Sequence, residues 1–193
     1  MAQTLGKPAM RSFQFGDIPL VREQLADPSI PTSVLIGGQF LNFTGKISAT
    51  TGDAPTLLPE TSLSLAFQNV TIPSEDFGNV GGWDTSNVQD MSRMFSRAND
   101  FNQDIGGWDT GKVQDMNGMF SRANDFNQDI GNWNTSNVTD MSSMFEDAIA
   151  FNQDLRGWCV TNIPIEPTDF STDPPLADAN KPAWGTCPPL NHK

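Results

Sequence analysis

From Trp83 the chain repeats itself: WDTSNVQDMSRMFSRANDFNQDIGG is followed at Trp108 by WDTGKVQDMNGMFSRANDFNQDIGN and at Trp133 by WNTSNVTDMSSMFEDAIAFNQDLRG. The period is 25 residues without slippage, and the first two copies differ at only five positions. Copies this alike must occupy equivalent environments, and a fixed period of this length is the signature of stacked rungs. The units are 83–107, 108–132 and 133–157. Trp158 opens a decayed copy, WCVTNIPIEPTDF, in which Ile163 and Phe170 keep the places of Val138 and Phe145, and FGNVGGW (77–83) foreshadows the end of a unit upstream.

Each copy carries eight apolar positions, in the third Trp133, Val138, Met141, Met144, Phe145, Ala148, Phe151 and Leu155. The expected repeat core is Trp83, Met91, Met94, Phe95, Phe101, Ile105, Trp108, Met116, Met119, Phe120, Phe126, Ile130, Trp133, Met141, Met144, Phe145, Phe151, Leu155 and Trp158. One copy buries too little to offset the entropy of ordering it, so copies stabilise each other only by stacking. Within a rung, Met91, Met94, Phe95 and Ala98 stand at i, i+3, i+4 and i+7, which predicts a short helix, with Asp90, Asp115 and Asp140 at its N-cap. FNQDIGGW then brings Ile105 and Trp108 inward and reads as a short strand parallel to the next rung; a strand at Asn87 to Met91 is the alternative.

The run W(D/N)TSNVTDMSxMFxxAxxFNQD(I/L) resembles the 25-residue repeat of BspA-type bacterial surface proteins, a variant leucine-rich repeat also found in phage-encoded proteins. The ending, WCVTNI with a later PAWGTCPP, is similar to the cap that closes such arrays. The resemblance implies an α+β architecture: a right-handed leucine-rich-repeat-like solenoid over 77–187, one short helix and one short parallel strand per rung, capped at 158–187 and followed by a tail, 188–193. It also implies attachment by protein or glycan contact. The lipobox and signal peptide of the family's lipoproteins are not seen in this sequence.

Residues 1–76 differ in texture and read as a β-rich docking or N-capping domain. TSVLIGGQFLNFTG (32–45) predicts two strands about Gly37-Gly38, SLSLAFQNVTI (62–72) a further strand, and LVREQLAD (20–27) a short helix stopped by Pro28.

Composition narrows the function. There is no tyrosine, and the single histidine, His192, is next to the last residue, which leaves Ser-His-Asp and Cys-His catalysis without a positioned base. The net charge of -12 disfavours a phosphate backbone as partner, and no run of 18 apolar residues predicts membrane insertion. Of that charge, -9 lies at residues 80–193, where 7 basic residues face 16 acidic ones.

Candidate sites have competing readings. Asp104, Asp129 and Asp154, with Asn102, Asn127 and Asn152, recur every 25 residues. Stacked at about 4.8 Å, like charges repel by about 0.9 kcal/mol per pair even in water. A calcium ladder would offset this. Capping of turn amides by the same side chains is favoured, because no DxDxDG-type loop is present. Cys159 and Cys187, the only two cysteines, bracket the cap and are expected to form a disulfide, worth roughly 3.5 kcal/mol in the loop-entropy model; two reduced thiols are the alternative. The Met pairs and the Trp ladder read as core rather than as copper or sugar sites. Acid pairs such as Asp100 with Asp104 could serve a glycosidase, but repetition argues against a unique active site.

The expectation is therefore a non-enzymatic structural and interaction protein without a resident cofactor. Its first setting is the surface of a phage virion, as a capsid-decoration or tail accessory. Residues 1–76 would dock on other virion proteins, and the repeats would contact a host surface protein or glycan, within a homo-oligomer or a larger assembly. A bacterial cell-surface adhesin is the alternative and a polysaccharide depolymerase a remote one.

Overall fold

The computed structural model describes residues 32–36, 39–43, 47–49, 55–57, 61–70, 74, 80–172 and 176–189. Strands β1 (Thr32–Ile36) and β2 (Gln39–Phe43) pair antiparallel around Gly37-Gly38, Val34 opposite Leu41. Strands β3 (Ile47–Ala49) and β4 (Pro55–Leu57) form a second antiparallel pair. The helix expected over Leu20 to Asp27 lies outside the described residues.

The expected strand over 62–72 is corrected. Only β5 (Thr61–Ser62) is strand, and it pairs in parallel with β6 (Val88–Asp90); from Ser64 the chain turns. Residues 61–70 stack against the first repeat as a further rung does. Leu63, Leu65, Phe67 and Asn69 donate their N–H groups to the carbonyls of Asp90, Ser92, Met94 and Ser96. The offset here is 28 residues, as in the Ser64–Ser92 hydroxyl pair, against 25 between later rungs. The three extra residues fall between Val70 and Val80 and take this rung out of the 25-residue period.

The helix expected at Met91 to Ala98 is also corrected: the segment is a run of successive turns, and there is no α-helix among the described residues. The N–H groups of Met94, Ser96 and Ala98 bond back three residues, to Met91, Arg93 and Phe95. Those of Met91, Arg93, Phe95 and Arg97 cross to the carbonyls of Asp115, Asn117, Met119 and Ser121 in the next rung. Met116, Gly118, Phe120 and Arg122 repeat the crossing toward Asp140, Ser142, Met144 and Glu146. An isolated helix of eight residues would leave about half of its N–H and half of its C=O groups without intrahelical partners. Alternating turns keep the same inward periodicity and send every second donor to the neighbour. The cost is a left-handed corner at Arg93, Arg97, Arg122, Ser143 and Asp147, with φ between 53° and 60°.

Of the two strand placements, backbone pairing occurs at the second. Asp90 bridges Asp115 and Asp115 bridges Asp140, both in parallel, whereas FNQDIGGW carries no strand. Side chains link the rungs there instead. Asn127 and Asn152 donate their N–H groups to the Asn102 and Asn127 Oδ1 atoms at 3.0 and 3.1 Å, and Gln128 and Gln153 Nε2 reach the same asparagines.

The core is a set of aromatic columns. Phe67, Phe95, Phe120 and Phe145 stack at 5.1 to 5.7 Å, and Phe101, Phe126 and Phe151 at 5.8 and 5.7 Å. Trp108, Trp133 and Trp158 form a third column, all buried, with each indole N–H donating to the carbonyl of Val80, Ile105 or Ile130 in the preceding rung. The methionines at 91, 94, 116, 119, 141 and 144 are buried among them. Thr85, Thr110 and Thr135, also buried, donate their hydroxyls forward to Asp109, Asn134 and Cys159 carbonyls. The first of these columns ends at Phe170, which meets Phe145 edge-on and is itself capped by Trp184.

Cys159 and Cys187 are disulfide-bonded, and the returning strand of chain supplies the last backbone partners: Thr186 O to Val160 N, and Asn180 O to Leu155 N. Glycine marks where rungs press closest. A Cβ on Gly106 would lie 2.5 Å from the Asp129 carbonyl oxygen, and one on Gly131 equally close to that of Asp154. At the third copy Arg156 takes this place, where the repeat gives way to the cap.

Gly106→Ala should therefore force the backbone apart and cost about 1–3 kcal/mol, while Gly107→Ala, whose Cβ would meet nothing within 4 Å, should leave the melting temperature unchanged. Equal melting of the two variants would contradict the close approach. Trp133→Ala should cost about 3–5 kcal/mol in a single cooperative transition, since it empties a column and removes one of the two donors to the Ile105 carbonyl; chemical denaturation measures it.

Candidate functional site

The left-handed corners line up across rungs. Arg93, Gly118 and Ser143 form one row and Arg97, Arg122 and Asp147 another, with Gln68, Ser96, Ser121 and Glu146 between them. These rows enclose a cleft of about 360 Å³ open along the turn face. Ten residues line it, and none is aromatic or aliphatic: beside the three arginines stand Gln68, Asn117, Gly118, Glu146 and three serines. Gly118 makes the space, because Arg93 bends over it with Cγ only 3.2 Å from where a Cβ would stand.

Arg122 is held by Asp147 at 3.2 Å and Glu146 at 3.9 Å, and Ser121 donates to Glu146 at 3.3 Å. Arg93 and Arg97 are exposed and form no ion pair among the described residues. Elsewhere among the described residues the basic side chains are engaged: Lys112 by Asn87, Arg156 by Asp154, Lys181 by Glu166 and Asp178. The Arg156 contact holds the Asp154 carboxyl down to about 2.

On the same turns runs a column of carboxylates, Asp90, Asp115 and Asp140, each accepting from the amide two residues on. Burial pushes the central Asp115 carboxyl upward, and Asp90 and Asp140 push it further, while the Asn117 amide and Arg93 pull it down. The expected N-cap role thus becomes a turn cap, since no helix follows.

The sequence-derived site residues are placed as follows. The Oδ1 atoms of Asp104, Asp129 and Asp154 accept from the N–H groups of Gly106, Gly131 and Arg156 at 3.0 Å, and the neighbouring asparagine oxygens already receive N–H donors. No group of three or more His, Cys, Asp or Glu among the described residues is placed to hold a metal ion. The Trp column faces inward. The arginine cleft escaped the sequence reading, which weighed only what repeats. Its trace was in what does not repeat: Arg93 against Gly118 and Ser92 against Asn117 are two of the five differences between the first two copies, and Arg93, Gly118 and Asn117 line the cleft.

Among comparisons with known proteins, a family model described as Mycoplasma protein of unknown function, DUF285, matches residues 61–173. No curated protein and no solved structure matches the chain. The match begins at Thr61, the first residue of the 28-spaced rung, and encloses the three copies at 83–157.

A raised carboxylate stabilises the folded state only when protonated, so its contribution is present at low pH and is lost as pH rises through its folded value. Asp115→Asn keeps the acceptor for Asn117 and removes the charge. It should raise the melting temperature by about 1–2 °C at pH 7, the gain vanishing below the carboxylate range; thermal melts across pH 3 to 7 measure it.

Proposed function

The chain belongs to the DUF285 family, and we propose that it is a non-enzymatic interaction protein whose stacked repeats present the turn face for attachment. The observation that carries this is the polar cleft itself. It is built from side chains of four successive rungs, so it exists only in the assembled stack, and it holds exposed arginines on a chain of net charge -12. The stack is read as the right-handed leucine-rich-repeat-like solenoid that the BspA-type motif implies.

The carrier of this face is a phage particle, with the segment before the repeats docking to capsid or tail proteins. A bacterial cell-surface adhesin is the second reading, favoured by the family's description through Mycoplasma. Hydrolysis gains little from the cleft: its carboxylate, Glu146, is engaged by Ser121 and Arg122, whereas a glycosidase needs a pair of carboxylates at set spacing.

Immobilised cell-surface polysaccharides and whole bacterial cells should retain the folded full chain without new reducing ends appearing. Release of reducing ends would replace this reading with the depolymerase, and failure to bind any polymer or cell would overturn attachment.

A further inference from the structure

Resting on the attachment reading, we propose that the turn-face cleft binds an acidic sugar, with its carboxylate between the guanidinium groups of Arg93 and Arg97 and its hydroxyls on Ser96, Asn117 and Ser121. Three features converge on this class. The first is charge. Between residues 61 and 189 the chain has six lysines and arginines, and three of them line this one cleft. The other three are each committed to a partner within the chain, while Arg93 and Arg97 form no ion pair among the described residues. Guanidinium groups match a carboxylate in planar, bidentate geometry, which a lysine would not.

The second feature is the lining. Serine hydroxyls and carboxamides surround the arginines, which suits a polyol and offers an apolar ligand nothing. No aromatic ring lines the cleft, and among the described residues from Thr61 onward the phenylalanine and tryptophan rings other than Trp184 are buried, so affinity at the cleft comes from charge and hydrogen bonds. The third is size: about 360 Å³ lies at the lower end of the ~300–1,000 Å³ typical of small-ligand sites, fitting one or two sugar residues of a longer chain. Glu146 is drawn aside by Arg122 and Ser121, and Asp115, whose carboxyl Arg93 pulls down, forms no ion pair with that arginine among the described residues.

The neighbouring rungs provide variants compatible with the fold. Gly118 occupies the position of Arg93 one rung on, and Asn69 that of Arg97 one rung back, both at left-handed φ (58° and 61°). Arg93→Gly with Arg97→Asn therefore removes both guanidinium groups while keeping residues this backbone already accepts. Calorimetry with the full chain and oligomers of galacturonic acid and of sialic acid, with neutral galactose oligomers and inorganic sulfate as comparisons, tests the site. The acidic oligomers should bind at least tenfold more tightly than the neutral ones and weaken with salt. The double variant should lose at least tenfold, while Arg156→Gln, at an exposed pair elsewhere, should lose nothing. Unchanged binding by the double variant, equal affinity for neutral oligomers, or sulfate competing as well as the sugars would overturn the proposal. Binding to cells or neutral polymers without any to acidic sugars would sink this site and leave attachment standing; no binding at all would sink both.

Discussion

Every second backbone N–H along the turn face leaves its own rung and is accepted by the next, and the rest of the structure follows from that exchange. A 25-residue unit built of turns has more donors than it can satisfy locally, and an unpaired buried amide costs about as much as a lost hydrogen bond. A neighbour displaced by one period supplies the missing acceptors in register. The crossing bonds from Met91, Arg93, Phe95 and Arg97 thus do what strand ladders do in a sheet, although only β5 and β6 are strands in the stack.

Register fixed by the backbone then aligns like with like. Phenylalanines fall on phenylalanines and indoles on indoles, and the indoles of Trp108, Trp133 and Trp158 and the buried threonines find their partners one rung away, as Trp133 does at Ile105 and Thr110 at Asn134. Stacking by identity has a penalty where the repeated side chain is charged. It is felt at Asp115, whose carboxyl is raised first by burial and then by Asp90 and Asp140, with the Asn117 amide pulling the other way. The stack must also be closed, and the disulfide-linked return at Cys187 supplies acceptors that another rung would have given.

Because core positions are held so tightly, surface positions are where copies can diverge without cost to the fold. Replacing Arg93 by glycine one rung on opens a cleft, and the arginines beside it are the one place where this acidic chain exposes positive charge unpaired among the described residues. Function in such an array is written in the departures from the repeat, and the attachment proposed for this face depends on four rungs being assembled.

The sequence by itself determined that the chain stacks, at what interval, and which side chains go inside: a strict period with eight apolar positions leaves no other way to bury them. It also singled out the two cysteines that the structure joins. The local backbone was not legible, because Met91, Met94, Phe95 and Ala98 point inward whether the segment is a helix or a run of turns, and only the destination of the alternate amides separates the two. The rung at 61–70 was hidden by three extra residues, which shift sequence spacing but not stacking. The cleft was illegible for a related reason: Gln68, Arg93, Asn117, Ser121 and Glu146 are far apart in the chain, and only the crossing hydrogen bonds, which set one rung over the next, bring them to one wall.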